Sequence, residues 1–282
     1  MTQFIYIPFG GSGGGGGQSY FAPKYVVGNV LEGDTNTLYA TGGFYYFPDP
    51  GDGSGIAAAL AAANPSDPSF IALGDVWIRP GTYTLSATLS IPTACTVRGS
   101  GPTTVIASAN NTIAGALISL SDQSSLRDVA LVHSVPANDA GGGFGVVDLR
   151  EDDGEALCEN VQIAVGTGGF AGFKVFAGFC VSNVGGAAVT RLRCVGCSVI
   201  YGANGTGGFP NFLVGYRMQD AVLELEDCDA TRIAVADANG ASVLARTDQA
   251  VEGLSALHVS GGKFEAPLYS IYWEGTQADY PV

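Results

Sequence analysis

The acidic run REDDGE at residues 150–155 places Asp152 and Asp153 a few residues beyond Asp148. Glycosidic cleavage draws a general acid and a base from two carboxylates about 5 to 10 Å apart, so this is where a polysaccharide-cleaving site would be sought. The competing reading is a solvated loop, and it is favoured because acidic loops are normally surface features. A second cluster, ELEDCD at residues 224–229, alternates along a strand, which sets Glu224 and Glu226 on one face and Asp227 and Asp229 on the other. A calcium ion would need about six to eight oxygens converging from several segments, and the spacing supplies no such loop. The two histidines, His133 and His258, lie in neither a nucleophile elbow nor a zinc motif. Cys194 and Cys197 form a lone CxxC without the second ligand pair of a structural zinc, and on a regular strand an i, i+3 offset sends two side chains to opposite faces. No catalytic residue, metal or cofactor is assigned.

The most suggestive surface elements are three glycine–phenylalanine loops ending at Phe144, Phe170 and Phe209. Aromatic faces suit either a subunit interface or a sugar ring, and clustered aromatics mark contact surfaces more often than sites.

Composition narrows the partners. Charged residues are 13% of the 282-residue chain, against about a quarter in soluble domains, which points to surface covered by neighbouring subunits. Twenty-six acids against twelve bases give a net charge of -14, with lysines scattered at positions 24, 174 and 263. No basic patch can follow a phosphate backbone, so nucleic acid is not an expected partner. No apolar run approaches a membrane span, so no membrane insertion is expected. The start, MTQFIYIPF, has neither a positive segment nor an apolar stretch of signal length, giving the expectation of synthesis and assembly inside a cell, in the cytoplasm. Six cysteines in a large chain of this kind read as free, mostly buried thiols.

Residues 1–51 are set apart by the run GGSGGGGG at 10–17 and by aromatic flanks. They read as an anchoring arm, with Phe4, Tyr6, Phe9, Tyr20 and Phe21 as its contact residues. Residues 52–282 read as one all-β domain. At its entry an alanine-rich helix is expected over about 54–64, capped by Asp52 or Ser54, ending before Pro65 and burying Ile56, Leu60 and Ala63.

The decisive feature is an internal repeat. LRDV at 126, CENV at 158, LRCV at 192, LEDC at 225 and LHVS at 257 recur every 32 to 34 residues. If each repeat is one coil of a solenoid, Leu126, Cys158, Leu192, Leu225 and Leu257 stack inside. Arg127, Glu159, Arg193, Glu226 and His258 then form an outer charge ladder. The third column, Asp128, Asn160, Cys194, Asp227 and Val259, begins with turn formers. The fourth is Val129, Val161, Val195, Cys228 and Ser260. Five to six coils at about 4.8 Å each make a squat object, about 29 Å long.

Residues 52–106 carry Pro80-Gly81-Thr82-Tyr83 and Val97-x-Gly99-x-Gly101 behind the expected helix. This entry resembles that of right-handed parallel β-helices of the pectate-lyase-like superfamily, found in bacteriophage tailspikes and related virion proteins. The resemblance implies a short helix capping the first coil. It also implies a non-enzymatic structural subunit of a virion, a capsid or tail spike or decoration protein. That subunit would be a homotrimer held to a capsid or tail partner by its arm. The rival readings are a polysaccharide depolymerase using Asp148, Asp152 and Asp153, and an adhesin whose Gly-Phe loops take a host surface glycan. The short Asn-Thr-Asp and Gly-His-Gly motifs of the related hydrolases are not present.

Overall fold

A computed structural model of the chain describes residues 25–29, 45–63, 74–109, 113, 115–133, 145–165, 175–184, 188–201, 212–232, 241–247, 255–265 and 269–275. Its strands form three sheets, and every pairing is parallel to the next strand along the stack. Sheet 1 has nine strands, from Tyr45–Asp49 and Tyr25–Asn29 through Asp75–Ile78 to Ala256–Ser260. Sheet 2 runs from Gly81–Leu85 to Lys263–Phe264 and sheet 3 from Leu89–Ile91 to Tyr269–Gly275, with seven strands each. The chain visits sheets 1, 2 and 3 in turn and repeats, the path of a parallel β-helix. Seven turns stack rather than five or six, because the first two, before residue 126, carry little of the repeat signature.

One continuous apolar core fills the interior, from Tyr25 and Ile56 at one end to Val243 and Ala245 near the other. The helix spans Ser54–Ala63, and Ile56, Leu60 and Ala63 are buried as expected, joined by Ala59. Its start is held differently. The exposed Asp52 accepts a hydrogen bond from Ser54 N–H at 2.9 Å, whereas the fully buried Asp49 accepts four backbone N–H groups, from Gly51, Gly53, Gly55 and Ile56, at 2.8 to 3.2 Å. The stretches Tyr25–Asn29 and Tyr45–Asp49 are rungs of sheet 1, so a boundary at 51 and 52 does not separate arm from body there. The anchoring residues Phe4, Tyr6, Phe9, Tyr20 and Phe21 lie outside the described residues, as do Phe144, Phe170 and Phe209.

The register corrects the gap-free repeat. Leu126 pairs with Cys158 and Arg127 with Glu159, but Cys158 then pairs with Cys194, not Leu192, and Cys194 with Leu225. Leu225 in turn pairs with Val259 rather than Leu257. The slip is two residues, which keeps every side chain on its face. Alternation alone therefore cannot detect it. The true third column is Asp128, Asn160, Gly196, Asp227 and Gly261, all in the left-handed region with φ between 50° and 74°. This is the corner from sheet 1 to sheet 2, where only Gly, Asn and Asp fit readily. The fourth column is Val129, Val161, Cys197 and Cys228, which turn inward behind that corner.

Cys194 and Cys197 consequently do not point to opposite faces. The strand ends at Val195, the chain turns at Gly196, and both thiols enter the core. All six cysteines are free and buried, and desolvation pushes the thiols of Cys95 and Cys180 up to about 12.

Candidate functional site

Two outward faces bring ionisable side chains together. On sheet 1, arginines and carboxylates of adjacent rungs pair: Arg98 with Asp128 at 2.9 Å, Arg127 with Glu159 at 2.9 Å, Arg191 with Glu224 at 3.6 Å and Arg193 with Glu226 at 2.7 Å. In register Arg193 faces Glu224 and then His258, so its contact with Glu226 is diagonal. The expected ladder thus exists as pairs but not as one column, since Glu159 lies beside Val195 and Glu226 beside Ser260. Exposed pairs of this kind contribute little to stability, because solvent screens them and two long side chains must be ordered. They hold the register of neighbouring rungs more than they stabilise the fold. Where the face reaches the last rung, a shallow groove of about 470 Å³ opens between Arg193, Glu224, Glu226, His258 and Val259.

On sheet 3 the row is buried. Two successive residues turn inward in its long strands: Val146 and Val147 both enter the core. Behind Phe179 and Tyr216, a Cβ on Gly178 would lie 2.6 Å from Val199 and one on Gly215 would lie 2.7 Å from Ala230, across the interior. This local doubling is what a bulge does to the alternation of a strand. It places Asp148, Cys180, Arg217 and Leu244 in one outward row, each in register with the next.

Asp148 is only 4% exposed. Burial pushes its carboxyl up to about 6, against the pull of Arg150, whose Nε lies 2.7 Å from Oδ2, and of Arg217. Arg217 also reaches the Cys180 thiol at 3.9 Å and donates to Gln219 Oε1 at 2.8 Å. Asp148 is therefore a carboxyl that exchanges its proton near neutrality. Chemically this is the property of a general acid, but Asp148 is packed beneath the surface and its neighbours are arginines. Asp152 and Asp153 do not join it, since they lie exposed at the corner between Gly145–Glu151 and Gly154–Glu159. Among the described residues no group of three or more His, Cys, Asp and Glu side chains is placed to hold a metal ion.

No protein-family model matches the chain, and no curated protein matches its sequence. The fold and the two faces are what inform its function. Of the histidines, His258 is exposed on the sheet 1 face and His133 is buried with Nε2 3.1 Å from the Gly115 carbonyl. The residues missed from sequence are Arg150, Cys180 and Arg217. The signal was one polar position recurring inside the apolar segments GVVDL, VFAGFC and FLVGYR, but the inward doubling hides which face it takes.

The shift of Asp148 makes stability depend on pH. The folded state keeps this proton to about pH 6 while the unfolded chain releases it near about 3.9, so the folded state binds more protons between those values. The contribution is present below about pH 4 and is lost as the pH rises through 6, by up to about 3 kcal/mol. Urea unfolding from pH 4 to 7 should show this fall. Asp148→Asn should flatten it, and an unchanged slope in that variant would show that Asp148 is not its source.

Proposed function

We propose that the chain is a non-enzymatic structural subunit of a bacteriophage virion, a capsid or tail spike or decoration protein. Residues 1–51 hold it to the particle through the parts outside the two sheet 1 rungs Tyr25–Asn29 and Tyr45–Asp49, and it associates with copies of itself, as a homotrimer. The observation that carries this reading is the fate of the outward carboxylates. Asp128, Glu159, Glu224 and Glu226 are each taken by an arginine of a neighbouring rung. A carboxylate pair committed to arginines is spent on holding register, where a glycosidase needs one member as a proton donor. The sparse charge of the chain fits surface shared between subunits. The Gly-Phe loops ending at Phe144, Phe170 and Phe209 serve in this reading as contacts between subunits, or to a host glycan.

The test has two arms. Antibody raised against the purified chain should label intact phage particles in electron micrographs. The purified chain should release no oligosaccharide from bacterial surface polysaccharides. Release abolished by Asp148→Asn, or by Asp152→Ala with Asp153→Ala, would replace this reading by the depolymerase.

A further inference from the structure

We propose that Cys197 and Cys228 form a redox site, at which a small peroxide joins the two thiols in a disulfide that ties adjacent turns of the β-helix. The site is interior and independent of any role in a particle. Four of the six free thiols lie together on the inner side of one corner. Cys158 and Cys194 are neighbours in the interior column of sheet 1. Cys197 and Cys228 follow the left-handed corner residues Gly196 and Asp227 and turn inward beside that column. The Cys197 thiol donates to the Cys158 carbonyl at 3.5 Å and the Cys228 thiol to the Cys194 carbonyl at 3.3 Å. Each sulfur thus leans toward the preceding turn, and that of Cys228 leans into the turn that carries Cys197.

Of the neighbouring pairs, geometry selects this one. A disulfide needs Cα atoms about 4.4 to 6.8 Å apart and Cβ atoms about 3.5 to 4.5 Å apart, whereas stacked strands stand about 4.8 Å apart. Stacked residues meet the first condition, and the second asks the two backbones to close slightly. Cys158 and Cys194 lie inside Gly154–Glu159 and Thr190–Val195, with the residues on either side of them paired in register, so their spacing is held. Cys194 and Cys197 are divided by Gly196 at φ 60°, and a bond between them would close a ring of four residues across the corner. Cys197 and Cys228 occupy successive turns, where the Asp229 N–H donates to the Cys197 carbonyl at 2.8 Å. Both stand just ahead of the strands Ser198–Tyr201 and Asp229–Arg232 rather than within them, and there the backbone can give.

The thiols of the cluster also differ in acidity. Burial raises those of Cys158 and Cys194, and the hydrogen bond with Cys197, followed by burial, raises that of Cys228. Cys197 goes the other way: against the burial that raises it, hydrogen bonds with Cys194 and Cys228 hold it well below the ordinary thiol range. Cys197 is therefore the member that supplies a thiolate, the form that reacts. Its sulfur takes one oxygen from hydrogen peroxide to give a sulfenic acid and one water. The Cys228 sulfur then displaces that oxygen as a second water, and the S–S bond forms. The two thiols lose two electrons and two protons, which the peroxide takes up. The product is neutral, so the dry core gains no buried charge. Peroxide reaches the buried pair through local opening of the turns, so the reaction is slow. A reducing compartment keeps the thiols and an oxidising one closes the bond.

Peptide mapping of the full, folded chain after incubation with hydrogen peroxide is expected to show one bond, Cys197 to Cys228, with the mass of two hydrogens lost and the free thiols counted in denaturant falling from six to four. The melting temperature should rise by about 5 to 10 °C, since the bond closes a loop of about 30 residues, and dithiothreitol should reverse both changes. Cys228→Ser should keep all its remaining thiols under the same treatment, whereas Cys194→Ser should still close the bond. Six free thiols after the incubation, a bond at Cys158–Cys194 or Cys194–Cys197, bonds only between chains, or oxidation of Cys197 to a sulfinic acid would each overturn the proposal. The wild-type map decides the matter alone where a variant fails to fold.

Discussion

Asp49→Ala is expected to destabilise the chain by about 4 kcal/mol, and to do so by unplugging one end of the core. The Asp49 carboxylate sits at zero exposure and satisfies four backbone N–H groups, two in the turn at Gly51 and Gly53 and two at the start of the helix, Gly55 and Ile56. Hydrogen bonds to a charged group contribute about 1.5 to 3 kcal/mol each, and a buried donor left without a partner costs about 1 to 3 kcal/mol. Removing four at once exceeds the ordinary loss of an N-cap, typically about 1 kcal/mol, even where water recovers some of them. The turn cannot shift to find other partners, because Gly51 and Gly53 hold left-handed φ values of 98° and 79°. Thermal unfolding followed by circular dichroism should show a fall of about 10 °C, at about 2 to 4 °C per kcal/mol for a domain of this size. Asp52→Ala, which loses only solvent-exposed contacts to Ser54, should lower the melting temperature far less. If the two substitutions cost the same, Asp49 does not organise this end. The Asp49→Ala variant should also bind a hydrophobic dye, since a loosened helix uncovers the core side chains of the sheet 1 rungs it packs on, Tyr25, Phe47 and Val76 among them.

The role of Asp49 was not legible in the sequence, and the reason is instructive. Capping signals are local, reaching the second or third helical N–H from the residue just before the helix, and Asp52 and Ser54 stand where that pattern looks. Asp49 acts from six and seven residues away because a glycine-rich turn folds back over it. The repeat, in contrast, was plain in the residues, since leucines, valines and turn formers recur at every coil. Its register was not. A two-residue slip preserves the inward and outward faces, so Leu192 served as well as Cys194 in the interior column until the left-handed corner at Gly196 fixed the alignment. The sheet 3 row was hidden for a related reason. Alternation places Asp148 on one face, but the paired inward turn of Val146 and Val147 resets the count just before it.

Tyr216→Ala should produce the largest loss of all, about 4 to 5 kcal/mol, from the cavity left by a buried aromatic side chain and from its lost hydroxyl. The ring lies in the core stacked on Phe179, with centroids 5.3 Å apart and planes within 5°, and it meets Phe264 of the last rung edge-on at 6.1 Å. Its hydroxyl donates toward the carbonyls of Cys197 and Asp229, at 3.0 and 3.1 Å, and so ties sheet 3 to sheet 2 across the interior. Tyr216→Phe keeps the stack and loses only those contacts, for about 1 kcal/mol. Because each turn of a solenoid rests only on its neighbours, the damage should be directional. The rungs beyond Tyr216, Ala241–Thr247 and Tyr269–Gly275, have few turns after them and, among the described residues, no helix packed on their end, whereas those before it are backed by the helix Ser54–Ala63. Amide exchange in Tyr216→Ala should therefore accelerate from Phe212–Gln219 to the C-terminal rung and leave Thr96–Arg98 and Thr104–Ser108 near their wild-type rates. An even acceleration along the whole stack would mean that the turns unfold as one unit, and that the C-terminal rungs are no weaker than the N-terminal ones.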